Sequence, residues 1–461
     1  MSENVYNKAI IPWIVAIALF METLDITIIT TAIPAMALSL RVDPINLKLA
    51  LTSYLLSIAL FIPISGWVAD KLGTQRTFIL ALLIFTVSSM MCGRAGSLSE
   101  LVIGRIFQGV GGAFMMPVGR LILLRTFTKS ELIRALNFVA VPALLGPLLG
   151  PFLGGFITTY YSWPWIFYVN VPMGLIGIVT TFCCIKNYKV VPLRRFDMMG
   201  FLLFGSSLAA IAFAIEAISV PSIQRSLIVW VTVFALLGFL LFYRHYKKTR
   251  QPVLDLKLFS IRTFWVAAIG NVWMRIGISS VMFLLPLLLQ IGYGLSPLRS
   301  GLLTGLGTLG MLFSKSINKL ILHRLGFRKM LCLTSVLTGM TILSFSLIGS
   351  INIPLIVGLV FINGLVTSLQ YTGMNVLYYV DLDLDDMSDA TSITGTLQQL
   401  SVGLGITVST LVLQFFVGWN HTLKSNYPLP FLHAFLVMGA IALSSVLIFL
   451  KLKPRDGQQV G

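Results

Sequence analysis

The sequence predicts an all-α polytopic membrane protein, with two pseudo-symmetric six-helix bundles plus two extra linking helices, about fourteen transmembrane helices together. Three observations lead there. Of the 461 residues, 57% are hydrophobic and 11% charged, with mean hydropathy +0.92, against about 25% charged residues in a soluble domain. The apolar residues gather in runs of about 20, the length that crosses a hydrocarbon core roughly 30 Å thick. The runs lie near 10–31, 47–69, 77–93, 101–122, 135–159, 164–186, 199–218, 225–243, 264–290, 298–321, 329–349, 353–377, 391–418 and 430–450. Finally, the block 10–186 resembles the block 264–452 in length and loop spacing. The chain therefore divides into an N-terminal bundle (1–190), two linking helices with a cytoplasmic loop (191–262) and a C-terminal bundle (263–461).

The formal net charge of +17 does not point to nucleic acid, because the basic residues are scattered between apolar runs and build no single patch. Their placement reads as topology. Connections on one side carry Lys71 and Arg76, Arg125 and Arg134, Lys186 to Arg195, Arg244 to Arg262, and Arg324 to Lys329. Those on the other hold little beyond Arg41, Lys48, Arg94, Arg225, Arg299 and Lys424. By the positive-inside bias, both termini are expected to be cytoplasmic. Cys92, Cys183, Cys184 and Cys332 lie in or beside apolar runs, with no C-x-x-C pair and no ligand-spaced His, so neither disulfides nor a metal site or cofactor is expected. The first run exceeds a signal-peptide core and lacks a small-residue cleavage site, so it is expected to be retained. The acidic stretch 381–389, DLDLDDMSD, has Asp386 and Ser392 where a calcium loop needs Gly and Glu, and reads as a solvated turn capping the next helix.

Taken in order, the first run, IIPWIVAIALFMETLDITIITT, holds Glu22 and Asp25 three residues apart, hence on one helical face. A carboxylate at membrane depth costs about 2.5–3.5 kcal/mol, so such residues face a bundle interior or a wet cavity. Between the second and third runs, GWVADKLGTQR (66–76) combines turn glycines with Asp70, Lys71 and Arg76. KLILHRLGFRK (319–329) places Gly326 and Lys329 at the offsets of Gly73 and Arg76. The fourth run carries Arg105 about five residues, or roughly 8 Å, from its outer end, and Asp25 lies about 9 Å from its own, so the two charges can sit level. The fifth, GPLLGPFLGG (146–155), sets Gly146, Gly150 and Gly154 on one smooth face, with Gly155 beside it and Pro147 and Pro151 bending the helix. WPWIFYVNVPMG (163–174) reads as an aromatic interface segment. Glu216 and Lys315 sit near the ends of their runs, within reach of water. Arg275, mid-span in the ninth run, needs a cavity or a partner, and Gln370, Asn375, Gln398 and Gln399 are candidate cavity groups.

These motifs, in this order and over essentially the whole chain, resemble the 14-span drug:proton antiporters of the major facilitator superfamily. LDITIITTAIP (24–34) is similar to the first-helix signature of that family, in which the position of Asp25 is protonatable; Thr30 stands where Asn is usual, and Glu22 lies outside the signature. Gly66–Arg76 resembles the loop G-x-L-A-D-R-x-G-R-R-R, a conformational latch in the family, with Thr74 and Gln75 replacing two basic positions. RIFQGVGGA (105–113) resembles the fourth-helix motif, and 146–155 fits the antiporter motif G-x-x-x-G-P-x-x-G-G, which marks exporters within the superfamily. The resemblance implies a proton-coupled secondary exporter, or antiporter, of drugs or other amphipathic small molecules, working by alternating access in a bacterial inner membrane. Its expected partners are a small-molecule substrate, protons and membrane lipid, and it is expected to act as a monomer. An exporter of one metabolite, such as a siderophore, fits the same features. A nutrient symporter or facilitator is opposed by the 146–155 motif. A membrane enzyme or scaffold is opposed by the lack of H-E-x-x-H, nucleophile-elbow and Walker A patterns.

Overall fold

Long apolar runs in a membrane must satisfy their backbone internally, which selects helices, and helices account for nearly all of the chain. The computed structural model describes residues 3–190, 196–218, 223–249, 251–348, 352–383, 386–419, 428–453 and 456. Arg194, Arg195, Arg250, Lys424 and part of the acidic stretch (384–385) lie outside them. The helices are α1 (Glu3–Leu40), α2 (Lys48–Leu72), α3 (Thr74–Arg94), α4 (Leu98–Thr126), α5 (Lys129–Tyr160) and α6 (Trp165–Cys184). After them come α7 (Met198–Ala217), α8 (Arg225–Lys248), α9 (Arg262–Leu287), α10 (Pro297–Ser344), α11 (Ile353–Leu377), α12 (Met387–Trp419) and α13 (Leu429–Phe449). Helix α10 is two arms joined across Gly326, whose φ of 67° breaks the helix. Side-chain caps start several of them: Ser97 accepts from Glu100 N, Asp197 from Gly200 N, Asn352 from Leu355 N.

Among the described residues, 12 helices are long and apolar enough to cross a membrane, not the fourteen expected. The two runs that fall short, 135–159 and 298–321, are helical, as parts of α5 and of the first arm of α10. Run 298–321 carries Gly, Thr and the basic residues Arg299, Lys315 and Lys319, which lower its hydropathy. In 135–159 the apolar segment found among the described residues is Leu144–Tyr160, and the two helices pack on one another. Small residues there let two backbones approach: a Cβ on Gly301 would strike the Pro151 carbonyl, and one on Gly155 the Pro297 carbonyl.

Helix α1 packs along α5 and also touches α4 and α6, while α2 and α3 flank α4. On the other side α9 packs on α12 and α13, and α10 on α11. The two groups meet along α5 with α10 and along α2 with α12. Helices α7 and α8 pack mainly on each other, with α7 touching α2 and α12. Hydrogen bonds across the seam lie from the middle of α5 to its Tyr160 end: Thr308 Oγ1 to Pro147 O (3.1 Å), Gln290 Nε2 to Thr31 O (3.1 Å) and Leu298 N to Thr159 Oγ1 (3.2 Å).

Candidate functional site

Two features stand out within this frame, a buried polar cluster on α1 and a cavity between the two groups of helices. In the cluster, Asp25 and Arg105 form an ion pair with both side chains fully buried. Helices α1 and α4 bring them together, as the depth argument expects. Gln108 Nε2 and Asn170 Nδ2 donate to Asp25 Oδ1 at 2.8 and 3.0 Å, and both also reach Ser89 Oγ. Arg105 Nη1 donates to Gln108 Oε1 (2.8 Å), Arg105 Nε donates to Ala50 O (2.9 Å), and the guanidinium lies 4.0 Å over the Tyr54 ring. Helices α1, α2, α3, α4 and α6 therefore all contribute to holding one carboxylate. Such a pair survives at depth because both oxygens of the carboxylate are engaged and the cation is stacked as well as bonded.

Glu22 is also buried, one turn from Asp25 toward the N-terminus. Its Oε2, with Tyr54 Oη, Arg105 Nη2 and Asn170 Oδ1, has no hydrogen-bond partner among the described residues. Gln108 and Asn170 were not singled out by sequence. Gln108 follows Arg105 at i+3, and Asn170 is a lone amide within the apolar run 164–186. Both are signals of a buried polar partner, available before any coordinates. The segment around Asn170 reads as purely structural from sequence, and the structure corrects that.

The cavity, about 450 Å³, is lined by α1, α2, α5, α9, α10, α11 and α12. Arg275, Gln398 and Gln399 are on its wall. Gln370 and Asn375, expected there, are not. Gln370 is buried between α11 and the second arm of α10, bonded to Thr334 and Ser335. Asn375 accepts from Gln398 Nε2 (3.1 Å) and lies off the wall. A second, mostly apolar cavity of about 340 Å³ separates α7 from α2 and α12. Glu216, expected to reach water, instead pairs there with Lys48 Nζ (3.0 Å) and accepts from Thr407 Oγ1 (2.7 Å). The 450 Å³ space, walled by seven helices drawn from both groups, is the candidate substrate site, whereas the smaller one lies at the periphery against α7.

In the 66–76 turn, Asp70 pairs with Arg125 of α4 (2.7 Å), not with Lys71 or Arg76, while Arg125 Nη1 donates to Tyr188 O (3.1 Å). Lys71 lies over the Trp67 ring and Arg76 is exposed. Gly73 has φ 95° and is closed over by Asn187, whose Oδ1 accepts from Gln75 N (3.2 Å). Gly66 has open space around it. The turn thus ties the ends of α2, α3, α4 and α6 together.

Gly146, Gly150 and Gly154 face α1, while Gly155 faces the start of α10. A Cβ at Gly146 would collide with Thr23, at Gly150 with Thr27, and at Gly154 with Ile28 and Thr31. Pro151 has no N–H to give the carbonyl of Pro147, and that freed oxygen is the one Thr308 of α10 reaches. Thr31 in turn donates to Pro151 O (3.3 Å).

Comparison with known proteins follows the same lines. Residues 15–406 match the family described as Major Facilitator Superfamily. A protein of Salmonella typhi bearing the provisional name multidrug resistance protein MdtD is 35% identical over 455 residues, covering 97% of this chain and 95% of its own. Its counterpart in Escherichia coli O6:H1 is 35% identical over 449 residues, with the same coverage. Among solved structures, the peptide transporter POT in complex with sulfate superposes with TM-score 0.72 at 14% identity, covering 97% of this chain and 95% of that one. A mutant of the nucleoside transporter NupG gives TM-score 0.64 at 12% identity, covering 95% and 99%.

Proposed function

Since the chain belongs to the major facilitator superfamily, we propose that it is a proton-coupled secondary exporter of drugs or other amphipathic small molecules. It works in a bacterial inner membrane by alternating access, as a monomer. In this reading residues 1–190 and 263–461 form the two six-helix halves, 191–262 supply two linking helices, fourteen helices cross the membrane, and both termini are cytoplasmic. The relatives named for multidrug resistance support export. The observation that carries the coupling is the buried Asp25–Arg105 pair.

Asp25 takes a proton while the cavity faces outward. Its hold on Arg105 weakens, and the inward-facing form is favoured. Substrate arriving from the cytoplasm or inner leaflet promotes release of the proton, the pair re-forms, and the halves rock about the site. The seam bonds at the Tyr160 end, the periplasmic side in this orientation, fit a form closed to the outside. Glu22 is the next station on the way in, because water joining Glu22 and Tyr54 beside Asp25 would satisfy the unbonded Glu22 Oε2 and Tyr54 Oη and carry a proton. Each state must change the proton affinity of Asp25, or the gradient does no work. Asp70–Arg125 and Gly73 act as the latch at the cytoplasmic end.

The test uses the full chain in proteoliposomes with an internal pH indicator and a panel of amphipathic dyes of both charge signs. A dye gradient is expected to drive protons in the opposite direction. Protons moving with the dye would make the protein a symporter, and dye movement without protons a facilitator; either outcome overturns the proposal.

A further inference from the structure

Arg275 is mid-helix in α9, on the wall of the central cavity. Its Nε donates to Asn271 Oδ1 (2.7 Å), Asn271 Nδ2 donates in turn to Tyr378 Oη (2.8 Å), and its guanidinium carbon is 4.0 Å over the Tyr371 ring. One edge and one face are therefore fixed by neutral neighbours. The forked edge is left toward the cavity, with no ion-pair partner among the described residues. No Asp or Glu lines that cavity, and Arg275 is its one charged lining residue among them. Asp25, on a helix that lines the cavity, is sealed in its own cluster and is not on the wall.

A cation held at membrane depth without a counter-charge is costly, and in transport proteins such residues mark ligand sites. A planar fork with two free donors matches carboxylate, sulfonate or phosphate oxygens. Around it the wall is apolar, with Ile278, Met282, Leu285, Val360 and Val402, and amides at Gln398 and Gln399. A space of about 450 Å³ falls within the roughly 300–1,000 Å³ of drug-sized sites.

We infer that the central cavity takes amphipathic organic anions, with the acidic group on Arg275 and the apolar body against α9, α11 and α12. Lipophilic cations are disfavoured there. The inference rests on the exporter reading for the direction of movement, but not for binding. It has an electrical consequence. Exchanging one exported monoanion for one imported proton moves two unit charges in the same sense, so an inside-negative potential accelerates it, whereas one-for-one exchange of a cation for a proton is electroneutral.

The experiment measures equilibrium binding to the purified full chain, using fluorescein and 8-anilinonaphthalene-1-sulfonate as anions and rhodamine 6G and ethidium as cations. At least one anion is expected to bind saturably, to be displaced by the other anion and not by the cations, and to lose about tenfold or more in affinity in Arg275→Gln, the loss of a charge-assisted hydrogen bond. Arg275→Lys should recover part of it. Gln398→Glu, which sets an acid against an intact Arg275, should weaken anion binding and guards against misfolding of the Arg275 variants. In proteoliposomes a potassium diffusion potential, negative inside the compartment that holds the anion, should speed its movement severalfold. Saturable binding of cations only, anion binding indifferent to Arg275→Gln and Gln398→Glu, or no saturable binding by either anion overturns the inference. Anion binding that follows Arg275 without proton-linked transport sinks the exporter reading and leaves the site standing.

Discussion

Asp25 is buried against a guanidinium and two amides, and each neighbour removes a different reason for it not to be there. Arg105 supplies the counter-charge, while Gln108 and Asn170 occupy the second oxygen. Asp25→Ala leaves Arg105 buried and unpaired, and is expected to cost about 3–5 kcal/mol, visible as a lowered thermal midpoint in detergent. Asn170→Leu removes one donor to a charged acceptor. It should lose about 1–3 kcal/mol by the same measurement and slow transport without abolishing it. An unchanged midpoint and rate would show that Asn170 only fills space. Asp25 and Arg105 were legible in the sequence because each is a charge stranded in an apolar run, and their levels could be counted along two antiparallel helices. Asn170 was less legible because a single amide is affordable in many places within a bundle. Gln370 shows the converse: it has the same chemistry in the same kind of run, yet is spent on Thr334 and Ser335, off the cavity wall that its neighbours Thr367 and Tyr371 line.

At the level of elements, α5 is the strut between α1, which carries Asp25, and the opposite group of helices. Its glycine face lies on α1, and the carbonyl freed by Pro151 is held from α10. Gly150→Ala drives a methyl into Thr27 and should cost about 1–3 kcal/mol by overpacking, with transport reduced. The 66–76 turn separates two glycines that look alike in sequence. Gly73→Ala, at φ 95° and under Asn187, is expected to cost about 1–3 kcal/mol. Gly66→Ala, in an open helical position, should be neutral or stabilising by up to about 1 kcal/mol. Equal midpoints for the two variants would contradict this account of the turn. The first turn of α5 also sets a pH limit. Backbone and hydroxyl hydrogen bonds from Thr128 hold the Glu131 carboxyl below its ordinary value. Its contribution is therefore present above the unfolded carboxyl value and is lost only as the pH falls through the lowered folded one. Pairing of Asp70 could be anticipated from the turn, but its partner could not, because Arg125 enters from a helix two elements away.

Across the whole molecule, the repeat between 10–186 and 264–452 announced two groups of helices, and composition announced the membrane. The count of fourteen was less legible because 135–159 and 298–321 meet at the seam, where packing calls for small residues in place of long apolar ones. The proposed alternating access requires the seam to open at the Tyr160 end. In a background with the native cysteines replaced, a Thr159→Cys, Leu298→Cys pair should cross-link readily, since Leu298 N and Thr159 Oγ1 are 3.2 Å apart. Cross-linking should stop transport, and reduction should restore it. Full transport with the link intact would mean that the halves do not part there.

The most direct test of the coupling claim compares two assays on Asp25→Asn in proteoliposomes, accumulation of substrate driven by an imposed pH gradient and exchange of substrate at equilibrium with no gradient. Accumulation should vanish while exchange persists, because the rocking motion and the cavity remain and only the proton-dependent step is gone. Accumulation at the wild-type rate would contradict the account.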